Sequence, residues 1–327
     1  MKLTGAMTAI VTPMQGGQID EGGLTTLIKS QLAGGIKGLI VNGSTGEAAT
    51  LTDDEQVYVL RQVIERVAGA VPVIAGVGSR STHGAITQAR RAEKAGADGL
   101  LVVTPAYNKP TQEGLIQHFL AVAENTRLPI VLYNVPGRTG IDLLPESVAK
   151  LADHARIVAI KEATGSVLRA ARIRRLIPTD FALLSGDDFT AFAFVAQGGD
   201  GCISVASNII PREIVALMDG ATGADPKAFA DAQARSLALL PLFDALFVES
   251  NPIPVKTAGA WLGLYPSAEL RMPLMPLTPR GAKVLAEAMR GAGLSPRVSK
   301  GADSRLGPSQ PVGLAEASVK TLDLSAT

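Results

Sequence analysis

A lysine ends one of the apolar runs in this chain of 327 residues. Lys161 follows the run 157–160 and precedes the string Glu-Ala-Thr-Gly. Burial in an apolar site disfavours the ammonium form of a lysine, and the neutral amine can attack a carbonyl carbon to form a Schiff base. A lysine at a strand end can instead form an ion pair or extend its ammonium to solvent. The position of Lys161 alone leaves both interpretations open.

The preceding apolar run, 129–133, ends at a tyrosine and leads into a loop that contains an arginine. Tyr133 can face Lys161 and relay protons, or it can be a core residue whose hydroxyl is hydrogen-bonded. Arg138 lies in the string Asn-Val-Pro-Gly-Arg-Thr-Gly. A guanidinium there is a natural bidentate partner for the carboxylate of a substrate, although many loop arginines are only solvated.

Three other polar segments also follow apolar runs. Ser44 and Thr45 lie between two glycines, where hydroxyls and backbone N–H groups can bind a carboxylate or form an ordinary turn. Tyr107 lies on a loop, and packing at a subunit interface is its simplest role. Asp187 and Asp188 have no histidine or further acid beside them in the sequence, which favours helix capping over metal binding.

The apolar runs that must position these side chains are rich in Val, Ile, Leu and Ala. This composition is typical of strands buried on both faces. The runs begin about 20 to 35 residues apart, the length of one strand–helix unit. Helical patterns lie between them, including a capping box at Thr52 and Glu55 and a helix predicted over 82–94 that ends at Gly96. The eight runs are residues 7–11, 38–41, 71–75, 99–103, 129–133, 157–160, 181–184 and 201–205.

Eight strand–helix units predict an α/β protein that folds as a closed (β/α)8 barrel, the TIM barrel. An open doubly wound sheet is the alternative, but it would carry a glycine-rich phosphate-binding string after an early strand. The segment 76–78 lacks the third glycine of that string, and no GxxxxGK[ST] string occurs. Active sites of such barrels lie at the carboxyl ends of the strands, where the polar residues named above fall.

The pattern changes after the eighth run. We predict a barrel over residues 1–210, a helical appendage over 211–292 and a disordered tail over 293–327. The tail has no aromatic residue and contains 4 Gly, 3 Pro and 6 Ser in 35 residues, which is too little apolar surface to pack. In the appendage, the predicted helices are residues 213–218, 226–247, 253–262 and 278–290.

Composition excludes several classes of protein. Lys plus Arg number 31 and Asp plus Glu 30, so the net charge of +1 lacks the basic excess of a nucleic-acid binder. One cysteine, Cys202, permits neither a disulfide within the chain nor a cluster of thiolate metal ligands. The chain has no apolar stretch of about 20 residues and no signal-peptide pattern. We therefore expect a cytoplasmic protein that has no metal site and no nucleic-acid or membrane partner.

Taken together, the polar strings resemble those of the dihydrodipicolinate synthase family, also called 4-hydroxy-tetrahydrodipicolinate synthases. This family belongs to the pyruvate-dependent Schiff-base class of (β/α)8 lyases. One such string would be weak evidence, but six in family order are strong, and the resemblance covers about residues 3–293. The matching strings are residues 9–13, 43–47, 133–140, 160–165, 184–188 and 251–256.

The resemblance implies a role for each of the candidate catalytic residues. Lys161 would be the lysine that captures pyruvate as a Schiff base. Tyr133 would be one member of a proton relay, which the family completes with a threonine and a tyrosine from the neighbouring subunit. Here Ser44 stands in place of that threonine, which keeps the hydroxyl and loses a methyl group, and Tyr107 matches the second tyrosine.

The resemblance also implies the substrates and the residues that bind them. Thr45 would hold the carboxylate of pyruvate, Arg138 would bind the carboxylate of aspartate 4-semialdehyde, and Gly186 and Ile203 would line the pocket. The product would feed lysine and diaminopimelate biosynthesis. No cofactor is implied, because the protonated imine itself serves as the electron sink. The implied assembly is a homo-oligomer, a dimer of dimers.

One departure from the family concerns feedback inhibition. Some bacterial members bind lysine at the dimer interface through histidines, an aromatic ring, an asparagine and a glutamate. The corresponding residues here are Asp53, Gln56, Ala106, Arg80 and Gly84. We therefore expect inhibition by lysine to be weak or absent.

Two rival functions remain at this point. A sister enzyme, such as an N-acetylneuraminate lyase or a 2-keto-3-deoxy sugar acid aldolase, would share the lysine and the tyrosine. Arg138 favours the synthase, since it suits an aldehyde that carries a carboxylate. A non-catalytic binding protein on the same barrel is the second rival, and the joint presence of Lys161, Tyr133 and Thr45 argues against it.

Overall fold

Ten short strands occur in the computed structural model of this chain, which describes residues 3–297. Eight of them are parallel and nearly continuous in apolar residues, whereas β2 and β3 form a small antiparallel hairpin that the sequence analysis did not predict. The strands are β1 (Gly5–Ala9), β2 (Met14–Gln15), β3 (Gln18–Ile19), β4 (Leu39–Val41), β5 (Val73–Val77), β6 (Gly99–Val103), β7 (Ile130–Asn134), β8 (Ile157–Glu162), β9 (Ala182–Ser185) and β10 (Gly201–Ser204).

The eight parallel strands close into a barrel. Each pairs with its neighbours in chain order, and β1 pairs with both β10 and β4. The predicted TIM barrel is therefore confirmed. The strand bounds differ from the predicted ones by no more than two residues. The largest functional consequence is at β8, which continues through Lys161 and Glu162 instead of ending at residue 160, so Lys161 lies within the strand.

Helices connect the strands and continue after the last one. The capping box at Thr52 and Glu55 is present at the start of α2, and the helix predicted over 82–94 forms as α3. The helices are α1 (Glu21–Ala33), α2 (Asp53–Val67), α3 (Thr82–Ala95), α4 (Gln112–Glu124), α5 (Pro136–Thr139), α6 (Pro145–Ala152), α7 (Val167–Arg174), α8 (Ala191–Ala196), α9 (Pro211–Thr222), α10 (Pro226–Leu246), α11 (Ile253–Trp261) and α12 (Pro279–Gly291).

Apolar side chains form two separate layers. Strand residues that point outward pack against the helices in one large cluster, to which Ile130, Ile157 and Ile160 belong. Residues that point inward fill the barrel in a second cluster, which includes Val131 and Ala159. Successive strand residues alternate between these layers, so the face on which a residue lies decides whether it can reach the barrel interior.

The helices α9 to α12 form a helical C-terminal region, as predicted. They lie in the same compact unit as the barrel, and the boundary proposed at residue 210 stays a prediction. The predicted tail begins at residue 293, and from residue 298 it lies outside the described residues. No helix in the range 3–297 is both long and apolar enough to cross a membrane.

Candidate active site

Lys161 and Tyr133 are direct neighbours on the inner face of the barrel. The register of β7 and β8 pairs Tyr133 with Lys161. A β-bulge sets this register, since Ile130 pairs with Ile157 and the next residue on β7 pairs with Ala159, which leaves Val158 as the extra residue. Ile157 consequently faces the helices while Ala159, two residues later, faces the barrel interior.

The surroundings of Lys161 bear on its two interpretations, a Schiff-base lysine or a lysine that is ion-paired or exposed to solvent. Its side chain is buried, with 5 % of the residue exposed, and its Nζ lies 4.4 Å from the centroid of the Tyr133 ring. Among residues 3–297, no carboxylate oxygen lies within 4.0 Å of this Nζ. Lys161 is thus an amine inside an apolar barrel, beside a phenol, and is neither an exposed lysine nor half of an ion pair.

A charged network on the outer face fixes the ends of the same two strands. Asn134 pairs with Glu162 in the β7–β8 register, and its Nδ2 lies 3.0 Å from Oε2 of Glu162. Arg169 donates from Nε to the same Oε2 at 3.0 Å and from Nη2 to Asp142 at 2.8 Å. The side chain of Glu162 is fully buried, so each of these charge-assisted bonds constrains the strand that carries Lys161.

The loop 43–47 follows β4 and carries the two predicted hydroxyls. Glu47 at its end is strained, because it adopts a left-handed φ of 57°, whereas Asn42, which precedes the loop, has the same φ and is a residue type that tolerates it. The amides of Gly46 and Glu47 donate within the loop. In the part of the chain that the structure describes, the amides of Ser44 and Thr45 have no protein acceptor. Two adjacent free N–H groups can bind one carboxylate.

Residues from the C-terminal region contact the loop 43–47 and restrain it. The Nδ2 of Asn251 donates to Oγ1 of Thr45 at 3.0 Å. The ammonium of Lys256 pairs with Glu47, and both side chains are fully buried. Burial lowers the pKa of Lys256, and the neighbouring Glu47 carboxylate opposes that effect. The backbone amide of Arg271 donates to the other carboxylate oxygen of Glu47 at 3.1 Å.

Arg138 lies on the short helix α5, so its placement in an irregular loop was wrong. α5 starts at Pro136, whose fixed φ suits a first helical turn. The left-handed Gly140 follows its last residue, Thr139. Nη2 of Arg138 donates to the backbone oxygen of Asn251 at 3.1 Å. Arg138 therefore lies near Asn251, which also contacts the loop 43–47, and Arg138 itself remains exposed.

A cavity of about 620 Å³ brings three of the predicted residues together. Ser44, Tyr133 and Arg138 all line it. Gly186 lies beside Lys161, because a Cβ atom there would be 2.8 Å from the lysine Cε. Ile203 packs inside the barrel in the same cluster as Tyr133.

Tyr107 is not brought to this cavity within one chain. It is 83 % exposed, with a left-handed φ of 75°, and its amide donates to the backbone oxygen of Thr139. Within the described range, no hydrogen bond joins Ser44 to Tyr133. The three predicted relay hydroxyls are therefore not connected in the single chain.

Asp187 and Asp188 bind backbone N–H groups near the starts of two short helices, although neither is the N-cap residue that the capping interpretation expected. Oδ2 of Asp187 accepts from the amide and hydroxyl of Thr190, directly before α8. Oδ2 of Asp188 accepts from the amides of Val205 and Ala206, at the start of a short 3₁₀ turn. The second carboxylate thus ties the loop after β9 to the end of β10, where Ile203 lies.

Comparison with known protein families gives a match over the barrel and the helical C-terminal region. The family model of the dihydrodipicolinate synthetase family matches residues 2–291. The chain belongs to that family. The assignment confirms the resemblance carried by the six sequence strings.

Relatives and solved structures of this family align over nearly the whole barrel and its helical region. A 4-hydroxy-tetrahydrodipicolinate synthase from Pelobacter propionicus is 47% identical over 290 residues, which are 89% of this chain and 99% of the relative. The dihydrodipicolinate synthase structure from Thermotoga maritima has a TM-score of 0.87 at 41% identity and covers 90% of this chain and 100% of its own. The Acinetobacter baumannii enzyme, solved in complex with pyruvate, has a TM-score of 0.86 at 41% identity, covering 89% and 99%.

The sequence did not indicate the residues that restrain the strands and the loop of the candidate site. Arg169 and Asp142 gave no local signal, because Arg169 joins Asp142 to Glu162 only after folding. Lys256 and Asn251 were part of a matching string, but nothing in that string indicated contact with a loop about 200 residues earlier. Buried partners of this kind can be found from sequence only when both members are compared across many homologues.

Gly186→Ala tests how closely Lys161 is confined. The new Cβ would lie 2.8 Å from Cε and 3.0 Å from Cγ of Lys161 and 2.7 Å from Cβ of Ala163, so the lysine must move. Moving the Lys161 side chain away from its position beside the substrate should lower the initial rate of the family's reaction by about 100-fold. Gly291→Ala is the matched control, because within residues 3–297 no atom outside its own helical backbone and chain neighbours lies within 4 Å of its Cβ position. A wild-type rate in Gly186→Ala would show that Lys161 is not held there.

Proposed function

We propose that this chain is a carbon–carbon lyase of lysine and diaminopimelate biosynthesis that condenses pyruvate with L-aspartate 4-semialdehyde to give 4-hydroxy-tetrahydrodipicolinate. The observation that carries the proposal is the Lys161 amine, buried in an apolar barrel with its Nζ 4.4 Å from the Tyr133 ring. The family assignment and the relatives named as this synthase support it.

Covalent chemistry would begin at Lys161. Its neutral amine attacks C2 of pyruvate, and uptake of one proton with loss of water gives a protonated imine. The imine withdraws electrons, so a proton leaves C3 and an enamine forms. The C3 carbon then attacks the aldehyde carbon of the semialdehyde, which takes up a proton as it becomes a hydroxyl. The amino group of the condensed product attacks the imine carbon, which closes the ring and releases Lys161.

Proton transfers in this sequence need a hydroxyl near the imine. Tyr133 is placed to serve, because it faces Lys161 on the neighbouring strand. Ser44 lines the same cavity, and no hydrogen bond links it to Tyr133 in the described chain. We propose that Tyr107 of a second copy of the chain completes the relay, which makes the active form a homo-oligomer, a dimer of dimers. The exposure of Tyr107 supports this proposal.

Two carboxylates must be bound, one on each substrate. The free amides of Ser44 and Thr45, with the hydroxyl of Thr45, suit the carboxylate of pyruvate. Arg138 lies at the cavity with one nitrogen already bonded to the oxygen of Asn251, which leaves its other donors for the carboxylate of the semialdehyde. Gly186 leaves room for the substrate beside Lys161, and Ile203 forms part of the apolar wall.

Borohydride trapping tests the proposal. Pyruvate with borohydride should inactivate the protein and add one reduced pyruvate to the peptide that contains Lys161, because reduction of the imine gives a secondary amine that water cannot hydrolyse. Lys161→Ala should still fold, as measured by its circular dichroism spectrum, and should take no label. Labelling of a different lysine, or of none, would contradict the assignment.

Tyr107→Phe tests the shared relay. Loss of one positioned proton-transfer group should lower kcat by about 100-fold, while the mass in sedimentation should stay that of the wild-type oligomer. Tyr58→Phe is a matched control, because Tyr58 is also exposed and its hydroxyl bonds only to Glu21 on the described surface. A wild-type protein that is a fully active monomer would contradict the shared site.

L-lysine should inhibit weakly or not at all. Gln56, Arg80 and Ala106 line the cavity at the positions that match the family's lysine site, and the Asp53 carboxylate is already paired with Arg91. Each charged contact missing from such a site is worth about 1.5–3 kcal/mol, or about tenfold or more in affinity. Initial rates measured against lysine concentration decide the matter. Half-inhibition below the millimolar range would contradict this prediction.

A further inference from the structure

We infer that Lys256 is a positioning residue for pyruvate, because its buried ion pair with Glu47 holds the loop 43–47 in the shape that presents two amides to a carboxylate. This inference rests on the proposed function and assigns a role to a lysine that takes no part in the covalent chemistry. Lys256 lies on α11, and Glu47 ends the loop that follows β4.

The two side chains are isolated from solvent. The side chains of Lys256 and Glu47 are each 0% exposed, and the ammonium bonds to Oε1 of the carboxylate. The other oxygen, Oε2, accepts the backbone amide of Arg271 at 3.1 Å. Both oxygens of Glu47 are therefore bound by the C-terminal region, so the carboxylate has little freedom to rotate or shift.

Stability alone does not explain such a pair. Removing two charges from water costs about as much as their attraction returns, and replacing a buried ion pair by an apolar pair of similar volume is often neutral or stabilising. What a buried ion pair does well is to fix one geometry, because any other arrangement leaves a charge without a partner. The geometry fixed here is that of residue 47.

Residue 47 sits at one end of a strained loop. Glu47 has a φ of 57°, which costs about 1 kcal/mol or more for a residue of this type, whereas asparagine tolerates the same φ at position 42. Such a conformation at Glu47 persists only where the surrounding structure holds it. The amides of Ser44 and Thr45 lie between these two residues, so their direction depends on residue 47 being held.

A second contact from the same segment acts on the same loop. Asn251 donates to the hydroxyl oxygen of Thr45 at 3.0 Å, which leaves the hydroxyl proton of Thr45 free for a ligand. Asn251 and Lys256 lie five residues apart on a segment about 200 residues distant from the loop in sequence. Because Glu47 and Thr45 are both held by this segment, the C-terminal region positions the proposed carboxylate site.

The test separates pyruvate binding from chemistry and from folding. Three variants are compared with the wild type: Lys256→Met, Glu47→Gln and the double variant. For each, we would measure the melting temperature, kcat at saturating pyruvate, and the pyruvate concentration that gives half-maximal borohydride trapping in the absence of semialdehyde. Lys283→Met, an exposed lysine of α12, is the matched control and should behave as wild type.

The expected pattern differs between the single and double variants. Lys256→Met leaves a buried carboxylate without its partner, so its melting temperature should fall and its half-trapping concentration should rise by about tenfold or more. The double variant contains no orphaned charge, so its melting temperature should recover. Its half-trapping concentration should still be raised by about tenfold, because methionine and glutamine do not fix residue 47. Its kcat should change by less than about threefold, a small effect on the chemical step.

Two results would overturn the inference. One is a half-trapping concentration that returns to the wild-type value together with the melting temperature in the double variant, which would show a purely structural role. The other is unchanged pyruvate binding in any of the three folded variants. If Lys256→Met does not fold, the double variant alone decides. Failure of the proposed function is distinguishable, because the wild-type protein itself would then take no label.

Discussion

The register between β7 and β8 is the constraint on which the proposed chemistry depends. Strand residues alternate between the barrel interior and the helices, and regular alternation from the outward Ile157 would place Lys161 among the helices. The bulge at Val158 reverses the alternation, so Ala159 and Lys161 face inward. One extra residue thus brings the lysine opposite Tyr133, where an amine and a phenol can act on the same substrate carbon.

The same register organises the outer face. Once Lys161 pairs with Tyr133, the next residues, Glu162 and Asn134, also pair and point toward the helices. There Glu162 accepts from Asn134 and Arg169, both at 3.0 Å. A slip of the register would bury the Glu162 carboxylate without these donors, which is costly in an apolar environment. Polar contacts outside the barrel therefore stabilise the arrangement of reactive groups inside it.

The sequence alone predicted the barrel, since runs of Val, Ile, Leu and Ala and their spacing depend on local composition. It also marked Lys161, Tyr133 and the loop around Ser44 as candidates, because reactive residue types stand out at the ends of such runs, and the resemblance to the family supplied their expected roles. It could not reveal the bulge at Val158, which is a property of pairing between two strands. Contacts between residues far apart in sequence, such as Lys256 with Glu47, likewise depend on the folded chain.

The central claim is that Lys161 and Tyr133 act together on pyruvate, and exchange of the pyruvate methyl protons with deuterium oxide tests it most directly. Proton NMR follows the exchange without the second substrate, and only the imine–enamine step produces it. We expect exchange by the wild type, none above the uncatalysed rate in Lys161→Ala, and exchange slowed by about 100-fold in Tyr133→Phe. Exchange at the wild-type rate in either variant would contradict the account.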